Sequence, residues 1–307
     1  MKDFDPANAN HLARAAFDSF MVEERLISSA VPALDTVIFG KTFSTPIMMP
    51  AFSHLPVYGE GRENGMIEYA RAAKSLGALN WVGMGENDSF KEIMKVGVPT
   101  VRIIKPYADI RKIESQIRFA EEEGAFAVGI DTDHSFSSSG GYDLVVGETM
   151  TCLDEKELAR LASLTALPFI IKGVLSVKDA EACVRAGIRG IVVSTHSGRL
   201  PYAVPPIYVL PAIKKAVGDK LEIFLDCSVD RGADAFKAIA LGAKAVSVGR
   251  AMWPALQSDG QKGLEAYVNK MNGELGMLMA FTGAKNVENI ESSMLWHKGE
   301  LPKPILD

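Results

Sequence analysis

The sequence predicts an α/β fold, a TIM (β/α)8 barrel with a short N-terminal cover, on three observations. Eight short aliphatic runs recur along the 307 residues. None alternates with period two, which is how strands buried on both faces read. Each is followed by a polar turn and a helical pattern, the alternation of a barrel.

The strands are expected at 47–52, 78–83, 100–105, 125–131, 168–173, 189–194, 222–227 and 243–249. The first helix, GMIEYARAAKSL over 65–76, spaces its apolar residues helically. A helix over 109–123 sets Ile110, Ile113, Ile117 and Phe119 among charges. The 154–164 segment carries carboxylates in its first turn, where the helix dipole favours them. Ser176, with Asp179 three residues on, opens a helix over 176–186 as a capping box does. Helices at 233–241 and 264–279 complete the set, and Gly77, Gly187 and Gly242 stand where left-handed caps belong.

A doubly wound open sheet is the competing architecture, since periodicity does not reveal closure. Two features favour the barrel: no Gly-x-Gly-x-x-Gly turn follows the first strand, and the last two strands end in small polar or glycine turns suited to phosphate. No linker or low-complexity tract interrupts the chain. One domain over 1–307 is expected, with residues 1–44 as the cover, 45–290 as the barrel and 291–307 as a tail. Residues 135–141, with FSSSGG at their heart, read as a flexible loop after the fourth strand.

Composition narrows the function. At 48% hydrophobic and 23% charged, the chain is neither disordered nor fibrous. A net charge of -5 with no charge block argues against a nucleic-acid surface. No apolar run approaches the ~18 residues of a membrane span. The opening MKDFDPANANHLARAAF lacks the apolar stretch of a signal peptide. Cys152, Cys183 and Cys227 have no metal-ligand spacing, so no metal is expected, and a reducing, cytoplasmic setting is.

In a barrel, the C-terminal ends of the strands converge on one site. That rule selects Asp131, Lys172, Ser194 to Arg199, Asp226, and Gly249 with Arg250. His196 is suited to a general base, with Asp131 orienting it and stabilising its charged form; the alternative is a loop histidine with structural hydrogen bonds. Lys172, carried out of the core by PFII, offers a cation to a developing anion or to phosphate; otherwise it is a snorkelling lysine. Arg199 can clamp a carboxylate with its planar fork, or lie solvated in its loop. Gly249 and Arg250 can hold a phosphate, or form a plain turn. Asp226 binds a ligand hydroxyl or caps a turn. Cys227 reads as a small buried hydrophobe. His134 finds no partner in the sequence and reads as solvated, and His54 reads as structural or as facing the site.

The motif order IIKGVLSVKDAEACVRAGIRGIVVSTHSGR, LPAI, FLDCSVDRGADAFKAIALGAKAVSVGR and ELGMLMAFTG resembles the FMN-dependent α-hydroxy acid oxidase and dehydrogenase family, that of glycolate oxidase and lactate oxidase. The likeness runs from about Ala33 to Glu288. It implies FMN as cofactor and oxidation of a 2-hydroxy acid to a 2-oxo acid, with oxygen or an electron carrier as acceptor. It also implies a homo-oligomer, a tetramer or larger. By position, His196 matches the base, Asp131 the carboxylate behind it, and Arg199 the substrate arginine. Lys172 matches the lysine beside the flavin. Pro50, Ala51, Ser194 and Asp226 match further flavin contacts, and Gly249 and Arg250 the phosphate clamp. Ser228 and Arg231 are assigned to the cofactor with them.

Several positions depart from the family pattern. Thr195 stands for asparagine, Ser197 for glycine, and Cys227–Ser228 for a glycine pair. Asp230 replaces a phosphate-binding arginine, leaving Arg231 to take over. Ile103 and Lys105 replace a glutamine and a tyrosine, which removes a flavin contact and a substrate hydroxyl donor. Gly129 replaces a threonine. The lid after the fourth strand is cut to about 133–151, without its second substrate arginine, so the flavin is expected to lie more open. Two other functions are compatible with these losses: a different reaction on an FMN barrel, isomerisation or reduction as in the isopentenyl diphosphate isomerase, or a flavin-free barrel binding a phosphorylated ligand.

Overall fold

The computed structural model describes residues 4–300. Its centre is one eight-stranded parallel sheet made of β1 (Ile47–Met48), β2 (Asn80–Val82), β3 (Thr100–Ile104), β4 (Ala127–Asp131), β5 (Phe169–Val174), β6 (Gly190–Val193), β7 (Glu222–Leu225) and β8 (Ala245–Ser247). Neighbours in the sheet are neighbours in sequence, and β8 pairs with β1. The seam between β1 and β2 is closed just past β1, by Met49 N to Leu79 O at 3.1 Å and Gly83 N to Phe52 O at 2.7 Å. Closure leaves no edge and rules out the open sheet. All eight expected strands are present.

The barrel is filled, as its aliphatic strands require. Met48, Trp81, Val101, Ile103, Ile170, Val192, Phe224 and Ala245 form the inner cluster. Part of the N-terminal cover, a hairpin of Thr36–Ile38 and Lys41–Phe43, sets Phe39 and Phe43 against Phe126, and Phe39 against Phe224. A larger apolar layer lies between strands and helices.

The helices are α1 (Gly65–Leu76), α2 (Asn87–Met94), α3 (Ile110–Glu122), α4 (Glu155–Ala162), α5 (Val177–Arg185), α6 (Pro206–Val217), α7 (Gly232–Ala240) and α8 (Trp253–Thr282). Gly77 caps α1 at φ 61°, and Asp154 with Glu157 forms a reciprocal capping box on α4. At α5, Ser176 accepts from Asp179 N, but its hydroxyl donates to the Asp179 carboxylate, so only half of the box is made. Two of these barrel helices lie outside the sequence reading. α2 buries only Phe90 and Ile93, too few for a periodic signal. α6 carries Pro206 at its start, where the missing N–H costs nothing, but also Pro211, which masks the pattern. α8 starts earlier than expected and is broken at Asp259 and Gly260, the latter at φ 54°.

The other part of the cover is a helix over Ala9–Asp18, at the mouth of the barrel. Asn10 Nδ2 donates to Ser197 O at 2.8 Å, and Arg14 Nη1 to Ser228 O at 3.0 Å. Arg14 also pairs with the fully buried Asp234 at 2.7 Å, which accepts from Asp230 N and Arg231 N at the start of α7. This helix therefore fixes the loops that follow β6 and β7.

Candidate active site

Parallel register places the strand-end side chains side by side. Asp131 aligns with Lys172 across β4 and β5. Asp131 is 3% exposed and Lys172 7%. Lys172 Nζ lies 3.2 Å from His196 Nδ1, 3.2 Å from Asp133 Oδ2, 3.4 Å from Ser194 Oγ, 3.7 Å from Asp226 Oδ2 and 3.8 Å from Asp131 Oδ1. His196 Nδ1 lies 3.3 Å from Asp131 and 3.4 Å from Asp133. Asp133 comes this close because Gly173 sits opposite; a Cβ there would meet its carboxylate at 2.5 Å.

The electrostatics follow from this crowding. Burial works against the charge of Asp131, yet Lys172, His196 and Lys105 hold its carboxyl well below the usual range. Burial also opposes the Lys172 charge, and Asp131, Asp226 and Asp133 outweigh it, holding the ammonium well above its ordinary pKa. Burial and then Lys172 push His196 down; hydrogen bonds and attraction from Asp131 and Asp133 prevail and raise it. Asp133 is raised, chiefly by burial. Asp131, His134 and His196 present ligand atoms within 4.8 Å of one another. The ammonium groups of Lys105 and Lys172 already occupy the cation positions around Asp131.

Beside this cluster is a cleft of about 270 Å³. Pro50, Ala51, Phe52, Lys172, His196, Asp226, Ser228, Gly249 and Arg250 line it, with Asn10 and Asp230 among the rest. The buried Tyr69 hydroxyl donates to Pro50 O and fixes the backbone after β1. A flavin mononucleotide needs an apolar wall for its ring, a cation near the ring, hydroxyl partners and an anion cradle. Pro50, Ala51 and Phe52 offer the wall, Lys172 the cation, Asp226 a hydroxyl partner, and Gly249 with Arg250 the cradle, all on the lining of one cleft. Gly249 has open space where a Cβ would be, so its backbone is approachable, and Arg250 has no ion pair among the described residues. The residues fit the group.

Of the sequence-predicted set, Asp131, Lys172, Ser194 and His196 come together, and Pro50, Ala51, Asp226, Ser228, Gly249 and Arg250 share the cleft. Ser194 is enclosed, accepting from Lys172 and from His196 N. Arg231 does not line the cleft: its guanidinium turns to Asp18 at 3.0 Å and Asp234 at 3.8 Å. The cation nearest Asp230 is Arg14, at 3.9 Å. Burial and the neighbouring Asp234 raise the Asp230 carboxyl. Arg199 points to the segment after β4, donating to Asp143 Oδ2 and Phe136 O, both at 2.7 Å. His134 is not solvated: its Nδ1 meets Asp143 Oδ2 at 3.0 Å and its Nε2 meets His196 Nε2 at 3.3 Å. His54 lines a different groove, of about 990 Å³, between α1 and α2.

The departures from the family pattern also have places. Lys105 points into the cluster and donates to Asp131 Oδ2 at 2.6 Å. Ile103 is buried in the inner core. A Cβ on Gly129 would lie 2.3 Å from Ile170 O, so this backbone has no room for threonine. Ser197, Cys227 and Ser228 adopt φ of 58°, 70° and 60°, the left-handed conformation that glycine enters freely. Lys105, Asp133, His134, Asp143, Asn10 and Arg14 were missed as site residues. For Asp133 and Lys105, their place at a strand end was the available signal.

The sequence model of FMN-dependent dehydrogenases matches residues 7–151 and 137–297. The chain belongs to the FMN-dependent dehydrogenase family. Its cofactor is FMN. Glycolate oxidase of Spinacia oleracea is 29% identical over 321 residues, covering 91% of this chain and 85% of that protein. L-lactate oxidase of Lactobacillus jensenii is 29% identical over 309 residues, covering 90% and 75%. A solved mandelate oxidase with 3,3-difluoro-2-hydroxy-3-phenylpropionic acid superposes at a TM-score of 0.83, with 27% identity and coverage of 95% and 92%. No helix among the described residues is long and apolar enough to cross a membrane.

Proposed function

We propose that this FMN-dependent dehydrogenase oxidises a 2-hydroxy acid to a 2-oxo acid, with His196 as the base. The observation that carries the reading is the buried Asp131 and Lys172 with the half-buried His196 at the ends of β4, β5 and β6, beside a cleft whose lining suits the flavin. FMN, when bound, supplies the acceptor for two electrons. His196 takes the substrate proton at Nε2, while Asp131 on Nδ1 orients the ring and stabilises the imidazolium. Lys172 holds positive charge at the flavin-side wall. Arg199 binds the substrate carboxylate once released from Asp143. Pro50, Ala51, Phe52, Asp226 and Ser228 position the cofactor, and Gly249 with Arg250 its phosphate.

The same reading makes the chain a homo-oligomer of the cytoplasm, using oxygen or a carrier as electron acceptor. Analytical ultracentrifugation would test the assembly, cell fractionation the compartment, and reoxidation of the reduced enzyme by oxygen or by an added carrier the acceptor. The decisive experiment on the reaction is anaerobic mixing of holoenzyme with a panel of 2-hydroxy acids, read as bleaching of the flavin. His196→Ala should retain flavin and lose bleaching by about a thousandfold, the scale of a lost general base. Undiminished bleaching in that variant would overturn the assignment.

A further inference from the structure

Arg199 and His196 are both already engaged, and by the same segment. Asp143 Oδ2 accepts from Arg199 Nη2 at 2.7 Å and lies 3.0 Å from His134 Nδ1. Burial pushes the Asp143 carboxyl up, but His134, Arg199 and the Leu144 N–H outweigh it and keep it ionised. An ionised partner at Nδ1 fixes the proton of His134 on that nitrogen, so Nε2 is a bare acceptor. Its neighbour at 3.3 Å is His196 Nε2, in edge-to-face contact with ring centroids 4.5 Å apart. With a proton on His196 Nε2 this contact is a hydrogen bond donated to His134, so the nitrogen that would take a substrate proton is covered, and the guanidinium that would take a substrate carboxylate holds a carboxylate.

We propose that Asp143 and His134 are specificity-determining residues that stand in for the substrate, Asp143 in place of its carboxylate on Arg199 and His134 in place of its hydroxyl oxygen on His196. The inference rests on the proposed reaction. A ligand must displace both contacts, which selects small anions carrying a carboxylate and a vicinal oxygen. Displacement is mechanically easy. Phe136 and Tyr142 in this segment stack on each other at 5.7 Å but are 51% and 57% exposed, and Leu144 and Val146 are exposed as well. Little buried apolar surface holds the segment down.

The test uses holoenzyme and oxalate, a carboxylate with a vicinal oxygen that needs no turnover. Asp143→Asn keeps shape and the Oδ1 contact with Leu144 N but surrenders the charge on Arg199. It should tighten oxalate binding, followed by calorimetry, by about tenfold, the scale of one charge-assisted hydrogen bond. With a hydroxy acid that bleaches the flavin, KM should fall by a similar factor, with kcat changed far less. His134→Gln should tighten oxalate in the same direction. Unchanged or weaker oxalate binding in both variants would overturn the proposal, since Asp143 would then be a support for Arg199. If oxalate tightens but no hydroxy acid bleaches the wild-type flavin, the proposed reaction fails and the internal competitor stands.

Discussion

Lys105 Nζ lies 2.6 Å from Asp131 Oδ2, and both side chains are almost wholly buried, at 7% and 4% exposure. This pair gives the carboxylate behind His196 a cation of its own, besides Lys172 at 3.8 Å. Burial lowers the Lys105 pKa from its ordinary value, so the ammonium depends on Asp131 for its charge. The carboxylate is thereby held in place while part of its pull on the His196 proton is neutralised.

Replacing Lys105 by methionine should therefore do two things. Stability should drop by about 2 kcal/mol, less than the loss of an isolated buried pair because Lys172 and His196 remain on Asp131. Urea denaturation reads that. The second effect is on His196, whose pKa should rise because Asp131 is less neutralised, moving the acid limb of flavin reduction to higher pH. A limb that stays in place would show that Lys105 only fills space.

The pH dependence of the wild type has a defined sign. His196 must be neutral to act as a base, and its pKa is raised above the ordinary 6.5. Flavin reduction by a hydroxy acid should decline as pH falls through that raised value. The contribution of charged His196 to stability runs the other way: it is complete below 6.5 and lost as pH rises through the folded-state pKa. Rapid-mixing rates taken across neutral pH check the first statement, and a flat profile down to pH 6 would contradict it.

Ser197 at φ 58° forms no side-chain hydrogen bond among the described residues, so its conformation is a cost without a local return. A non-glycine residue in this conformation costs about 1–2 kcal/mol, and glycine returns roughly 0.5–1 kcal/mol of that as chain entropy. Ser197→Gly should stabilise the protein by about 0.5 kcal/mol, a rise in Tm of one or two degrees by calorimetry. A lower Tm would mean that the hydroxyl has a partner in solution.

Much of the site is legible in the sequence because barrel geometry converts position along the chain into position in space. A residue just past a buried strand lies at the mouth, so Asp131, Lys172, His196, Asp226 and Arg250 could be chosen without coordinates. The same rule could have chosen Lys105, which ends the run TVRIIK. Compared only with the tyrosine it replaces, Lys105 looks like a loss. Arg231 failed for a local reason: it opens α7, and its side chain follows the carboxylates of Asp18 and Asp234 instead of the cleft.

The alternation of strand and helix, the buried character of every strand and the set of strand-end residues follow from local sequence, because these depend on neighbours within one or two turns of chain. Closure of the barrel, the Lys105–Asp131 pair and the covering of His196 by His134 were decided only in three dimensions. So was the reach of Arg14 to Ser228, 214 residues away. A hydrogen bond or an ion pair acts over about 3 Å. Whether two such groups meet depends on how the loops after β4, β6 and β7 come together at the mouth of the barrel, and no local pattern of residues encodes that distance.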